Sequence, residues 1–397
     1  MKVSEKAGKV SNKYISELVS KVPPSGIRKF FDLVSSADDI ISLGVGEPDY
    51  VTAWPIREAA IRSIERGYTM YTSNKGLIQL RRDISRFIQA RDGLTYDPES
   101  ELLITFGVSE GLDLALRAIL NPGDEVIMPD PCYVAYSACT ALAGGVPVQV
   151  PTYVEHNFAL KAEDIKQRIT TRTRAILIGY PANPTGAVME REDLLNIADL
   201  AKEFGLVVIS DEIYRQIVYG VTHTCFATLP GIREQTIILN GFSKIYSMTG
   251  WRVGYAAANP EIIGAMTKIH QYTALCAPII SQNAAIEALK QDKDSVQAMV
   301  TDYNRRRMFM LNGLRDIGLS CFEPKGAFYV FPSIAITGMT SEEFAERLLL
   351  EEKVAVVPGT AFGQAGEGYI RCCYATALND VEEALKRMKS FVEHHRK

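Results

Sequence analysis

No run of apolar residues in this 397-residue chain approaches the roughly 20 that a membrane helix needs. The polar opening, Met1 to Val10, lacks the apolar core of a secretory leader, so no membrane association is expected. Cysteine is scarce: seven residues, an odd number, with no C-x-x-C pair. That disfavours a disulfide framework and a structural zinc site, and no metal is expected. The vicinal Cys372 and Cys373 read as free thiols in a strand, which points to a reduced, cytoplasmic protein. Excess positive charge is missing as well. Lys and Arg number 43 against 47 Asp and Glu, a net charge of −4. The densest basic run, Arg305-Arg306-Arg307, sits in a mixed-charge helical stretch and reads as a solvated face. Nucleic acid is therefore not an expected partner. Repeats and low-complexity segments are absent too.

What is present is an ordinary globular composition, 47% hydrophobic and 23% charged, with chain enough for a sizeable core. From Glu101 onward, short apolar runs alternate with amphipathic stretches. Leu102 to Phe106, Glu125 to Met128, Ala175 to Ile178, Leu206 to Ile209, Thr236 to Leu239 and Val253 to Ala257 read as buried strands. Ser109 to Leu120 and Arg191 to Phe204 have helical spacing. Such alternation predicts an α/β fold with a largely parallel sheet flanked by helices, whose ligand lies beyond the carboxyl ends of the strands. Past Asn283 the pattern changes to a long helical stretch ending near Ile317, a strand pair over 321–331, a helix at 341–351, strands at 354–357 and 369–374, and a final helix. The expected division is an N-terminal arm (1–45) packing with the small domain, a large domain (46–285) and a smaller α+β domain (286–397).

Chemistry concentrates in Gly241-Phe242-Ser243-Lys244-Ile245-Tyr246-Ser247-Met248-Thr249-Gly250-Trp251-Arg252-Val253-Gly254. Alone, a lysine is a solvated surface residue. Lys244 instead follows a buried strand at the end where ligands bind, where it can lose solvation and titrate near neutrality. Ser243 and Arg252 can both reach an anion. As a whole, the segment resembles the cofactor-attachment signature of the class I aminotransferases, enzymes of fold type I that depend on pyridoxal 5′-phosphate (PLP). The resemblance implies Lys244 as the Schiff-base lysine, with Ser243 and Arg252 as phosphate ligands.

Other motifs fit the same family in its order. Ser210-Asp211-Glu212-Ile213-Tyr214 follows a strand, where a carboxylate by itself reads as a helix cap. PLP chemistry needs a carboxylate at the pyridine nitrogen, and the resemblance gives Asp211 that role and Tyr214 a hydrogen bond to the phenolic oxygen. Asn183-Pro184-Thr185-Gly186 is a turn by itself, and the family pattern sets Asn183 against the same oxygen. Gly107-Val108-Ser109-Glu110-Gly111 opens a helix, a ready anion site, and resembles the phosphate-cradling loop. Glu110 is expected to point away, toward the helix dipole. Tyr133 matches the aromatic that stacks on the pyridine face. Arg371, costly in a strand unless paired, matches the ligand of the substrate α-carboxylate, and Gly46 the glycine that approaches it. Tyr71 resembles the tyrosine that reaches the neighbouring subunit's cofactor phosphate, which implies a homodimer.

The resemblance runs from Gly26 to Val392 and is nearest to the bacterial and archaeal aromatic and aspartate aminotransferases. It implies ping-pong transfer of an amino group from an L-amino acid to a 2-oxo acid, by analogy 2-oxoglutarate, with the freed Lys244 amine moving the proton. No arginine lies between Lys268 and Arg305, where animal-type enzymes bind a dicarboxylate side chain, which weakens strict aspartate specificity. Ile27, if the arm covers the pocket, would favour aromatic or aliphatic substrates. A PLP-dependent lyase on the same scaffold is the alternative. An NAD-dependent oxidoreductase is disfavoured because Gly44-Val45-Gly46 lacks the third glycine and the following helix. A DNA-binding regulator would need a further domain and a basic helix.

Overall fold

The computed structural model describes residues 14–24, 39–291 and 293–396. Ile27 lies outside them. Strands in chain order are β1 (Ile41–Ser42), β2 (Leu102–Thr105), β3 (Glu125–Asp130), β4 (Val146–Pro151), β5 (Thr173–Gly179), β6 (Val207–Asp211), β7 (Thr236–Gly241), β8 (Gly254–Ala257), β9 (Tyr329–Val330), β10 (Val354–Ala355), β11 (Val357–Pro358) and β12 (Ile370–Cys373). Seven of them form one sheet in the order β2-β8-β7-β6-β5-β3-β4. Only β8 runs against its neighbours; the other pairs are parallel.

Continuous apolar runs suit this sheet because both faces are covered. Successive side chains of a strand point to opposite faces. Val126, Met128, Leu177, Ile209 and Leu239 pack on the helices Gly107–Ile119 and Pro260–Thr273. Ile127, Ile176, Ile178 and Val208 pack on the other face against Leu194, Ile197 and Leu200 of helix Arg191–Phe204. Each such side chain contributes about 1.5–3 kcal/mol over its exposed state.

The α/β architecture expected from the alternation is present, with differences in detail. β4 was not anticipated. Pro147 and Pro151 argue against a strand, but β4 is the last strand of its sheet, where a missing amide is tolerated. The long helical stretch is two helices, Ile279–Ala288 and Lys293–Ile317, broken at a polar run beginning at Gln291. The expected strand pair over 321–331 is reduced to β9 and a single bridge between Cys321 and Pro332. The single strand expected at 354–357 splits, with β10 pairing β1 in parallel and β11 pairing β12 antiparallel. β9 completes a three-stranded sheet, β11-β12-β9. Around these strands Leu43, Tyr303, Phe328, Phe344, Ile370 and Phe391 form a separate core. The short helix Glu17–Lys21 buries none of its residues. Among the described residues no helix is long and apolar enough to cross a membrane.

Candidate functional site

Strand direction decides where the chemistry collects. β2, β3, β5, β6 and β7 all point the same way, so the loops after them open at one edge of the sheet. Those loops carry Gly107, Val108 and Ser109, then Tyr133, Asn183, Asp211 with Tyr214, and Ser243 with Lys244. Together with Gly46, Arg252 and Arg371, all of these but Gly107 line a cleft of about 520 Å³, and Gly107 lies against the Arg252 guanidinium.

Lys244 is withdrawn from water. Its Nζ donates to the Gly46 carbonyl at 2.6 Å and lies 5.8 Å from the ring centres of Tyr214 and Phe328. Burial lowers its pKa to about 8; Arg371 and Arg252 push the same way, while Cys373 and Glu47 oppose. Gly46 can sit this close because it has no side chain: a Cβ there would lie 2.5 Å from the Tyr329 hydroxyl.

Asp211 ends β6 as a buried carboxylate. Oδ1 accepts the Ile213 amide at 3.1 Å and Oδ2 the Tyr136 hydroxyl at 2.9 Å. Burial raises its pKa to about 6 despite those two bonds and Lys244. A carboxylate held there gains from any cation that reaches it. Tyr214, also buried, has its hydroxyl 2.7 Å from that of Tyr329, and burial raises its pKa well above the ordinary tyrosine value.

Arg371 lies in β12, across the cleft, and is 2% exposed. Its guanidinium donates to Asn183 Oδ1 at 2.9 Å and to the Gly44 carbonyl, between the rings of Tyr329 (4.5 Å) and Phe362 (4.9 Å). Its Nε has no hydrogen-bond partner among the described residues. Arg252 has a left-handed backbone, φ 52°, and donates to the carbonyls of Thr249 (3.0 Å) and Phe106 (3.4 Å). That sets its guanidinium 2.8 Å from where a Cβ on Gly107 would stand. Gly107 itself has φ 71°, a conformation that favours glycine. Tyr133 meets Tyr136 edge to face at 5.7 Å.

Of the predicted site residues that are described, Gly107 and Tyr71 are not in the cleft lining; Tyr71 is 80% exposed on its own chain. Three contributors were not singled out by sequence. Tyr136 bonds Asp211, Tyr329 bonds Tyr214, and Glu47 accepts from Thr249 at 3.0 Å. Tyr136 lies one helical turn from Tyr133, a spacing that could have flagged it. Tyr329 lies in an apolar run with Phe328, Val330 and Phe331, which reads as core. Glu110 does point away from the cleft, whose lining does not include it, and toward the amide end of its own helix. It turns back to the Phe106 amide and across to His270.

The model of the family "Aminotransferase class I and II" matches residues 38–388. A putative aminotransferase, YugH, of Bacillus subtilis is 53% identical over 96% of this chain and 98% of its own. The aspartate aminotransferase of Pyrococcus abyssi is 45% identical over 94% and 97%. The crystal structure of an aromatic aminotransferase from Pyrococcus horikoshii superposes with a TM-score of 0.88 at 43% identity, covering 93% of this chain and 99% of that one. These likenesses favour group transfer over the lyase alternative.

Proposed function

The chain belongs to the class I and II aminotransferases, and from that premise we propose that it moves the amino group of an aromatic amino acid or aspartate to 2-oxoglutarate. Enzymes of this class use PLP, and the residues lining the cleft fit that group. Asp211 is a buried carboxylate whose raised pKa a cationic ring nitrogen would relieve. The turn at Gly107 and the Arg252 guanidinium leave a cationic recess that a Cβ would fill. Lys244 is a half-buried amine with its basicity lowered. When bound, PLP supplies an electron sink for the pair left at the substrate Cα.

The protein does the rest. Lys244 Nζ would hold the cofactor covalently, and as a free amine it would take the substrate Cα proton. A pKa near 8 keeps a useful fraction of that amine neutral at physiological pH. Asp211 would hold a proton at the ring nitrogen, with Tyr136 keeping its carboxylate oriented. Asn183 and Tyr214 would donate to the phenolic oxygen, Tyr133 would cover the ring face, and Ser243, Arg252 and the amides of Gly107, Val108 and Ser109 would bind the phosphate. Arg371 binds the α-carboxylate, with the backbone of Gly46 beside it.

The observation that carries this reading is one cleft holding a deprotonable lysine, a buried aspartate and a guanidinium with hydrogen-bonding capacity to spare. Besides Lys244, the cations among the described lining residues are Arg252 and Arg371, both already given roles. A donor's side-chain carboxylate finds no third, which favours aromatic donors. We further propose a cytoplasmic homodimer with Tyr71 crossing to the partner's cofactor, and a division into the arm 1–45 and domains 46–285 and 286–397. Transamination of phenylalanine, aspartate and alanine against 2-oxoglutarate tests the assignment. Phenylalanine at least tenfold ahead of aspartate in kcat/KM, about 1.4 kcal/mol, supports it; ammonia release without an oxo acid refutes it.

A further inference from the structure

We propose that His270, acting through Glu110, is a positioning residue for the phosphate loop, an inference that rests on the reading of the cleft as a PLP site. The helix Gly107–Ile119 begins without a side-chain cap, because its N-cap residue is Phe106, which has no polar side-chain atom. Glu110 compensates from within the first turn. Its Oε2 accepts the Phe106 amide at 2.7 Å, and its Oε1 lies 2.8 Å from His270 Nδ1. A carboxylate only accepts, so Nδ1 carries the proton of that bond. His270 is fully buried in helix Pro260–Thr273, and its Nε2 has no hydrogen-bond partner among the described residues. A buried ring with half its capacity unused costs stability that an apolar side chain would not, so packing alone does not account for it.

The effect is felt at Gly107. The Phe106–Gly107 peptide is where β2 turns into the helix, and the Phe106 carbonyl also receives Arg252. First-turn amides have no acceptor within their own helix, and they attract anions. Glu110 is itself an anion of that first turn. Held by His270 and by Phe106 N–H, its carboxylate cannot turn to the amides of Val108 and Ser109. Without that carboxylate held in place the Phe106–Gly107 peptide is no longer fixed, and the first-turn amides lose their aim at the phosphate oxygens. The clamp has a second anchor. The backbone carbonyl of His270 accepts from Leu275 at 3.0 Å, whose own carbonyl accepts from Asn74 at 2.7 Å, in the segment that carries Tyr71.

Titration of the cofactor-stripped protein with PLP and with pyridoxal, which lacks the phosphate, separates this role from a merely structural one. Absorbance reports binding and thermal melting reports folding. His270→Phe keeps ring volume and removes the donor, whereas His270→Gln keeps an N–H. In His270→Phe the Kd for PLP rises about tenfold, and that for pyridoxal less than about twofold. His270→Gln recovers most of the lost affinity. Glu110→Ala also weakens PLP selectively, and adding His270→Phe to it changes little more. Equal losses for both ligands, or none, in folded His270→Phe overturn the inference. If that variant does not fold, Glu110→Ala and His270→Gln decide: phosphate-selective weakening in the first with near-wild-type binding in the second supports it, and any other pattern overturns it. A wild-type protein that binds neither ligand fails the PLP reading itself, a result distinct from all of these.

Discussion

Lys244 and Asp211 are shifted toward each other's range by the same cause. Burial disfavours charge on both, so the lysine falls to about 8 and the aspartate rises to about 6. In cofactor-free protein the Lys244 amine is therefore neutral above about pH 8, where an ordinary lysine stays protonated. Its modification by an amine-directed reagent is expected to follow a midpoint near pH 8; a midpoint near that of free lysine would contradict the burial argument. Tyr136→Phe removes one of the two hydrogen bonds to Asp211 and leaves a buried acceptor unsatisfied. A loss of about 1–2 kcal/mol, roughly tenfold in kcat, is expected with the far-UV circular dichroism unchanged. Gly46→Ala would drive a methyl into the Tyr329 hydroxyl, beside the Gly46 carbonyl that receives Lys244. It should raise KM for amino donors more than it weakens PLP binding, as steady-state kinetics and cofactor titration would read.

At the scale of elements, the end of β6 is fastened by charge as well as by packing. Glu212, wholly buried, lies 3.2 Å from Arg215 and 3.1 Å from His223, and Arg215 pairs in turn with Asp92 at the end of helix Ile78–Asp92. Burial pushes Glu212 up, but Arg215 and His223 hold it well below the usual carboxylate range. A carboxyl depressed in the folded state stabilises fully above its unfolded pKa, and that contribution fades as pH falls below about 4.5. Arg215→Ala leaves buried charge without its partner and is expected to cost about 3–5 kcal/mol in urea unfolding at pH 7. The deficit relative to wild type should shrink in the same measurement below pH 4. How much of this architecture could be read beforehand follows from the residues. Ile127, Leu177 and Ile209 lie in apolar runs that allow few readings, so the central strands were legible. β4 was hidden by Pro147 and Pro151, and the split at Val356 by a run too short to reveal two partners. The meeting of Lys244, Asp211, Asn183 and Arg371 in one cleft was legible because three of them follow buried strands in fixed motifs. Tyr136 and Tyr329 were not, because a buried tyrosine reads as core until its hydroxyl is seen to have a partner.

For the whole molecule, the exposed apolar surface is the open feature. Val51, Trp54, Ile64, Met70, Tyr71 and Tyr272 are all large and exposed on one chain. Val51 to Tyr71 fall in one stretch of the chain, the stretch that carries the tyrosine proposed to cross to a partner. A dimer is expected in sedimentation equilibrium, and mixing identifies whose Tyr71 serves which cleft. Neither Lys244→Ala nor Tyr71→Ala is expected to turn over well alone. Exchanged into mixed dimers, one cleft in each regains an intact Lys244 and an intact Tyr71, and activity should rise above both parents. No rise on mixing would place Tyr71 outside the partner's cleft.

Within one chain, most of the residues proposed to keep PLP hang from the seven-stranded sheet, with Lys244 and Arg252 both in the connection from β7 to β8, whereas Arg371 hangs from β12 in the three-stranded sheet. A tool and a vice jaw mounted on separate blocks can be adjusted one at a time. An enzyme that must trade one guest for another twice in every cycle can slacken the jaw for each exchange and never put down the tool.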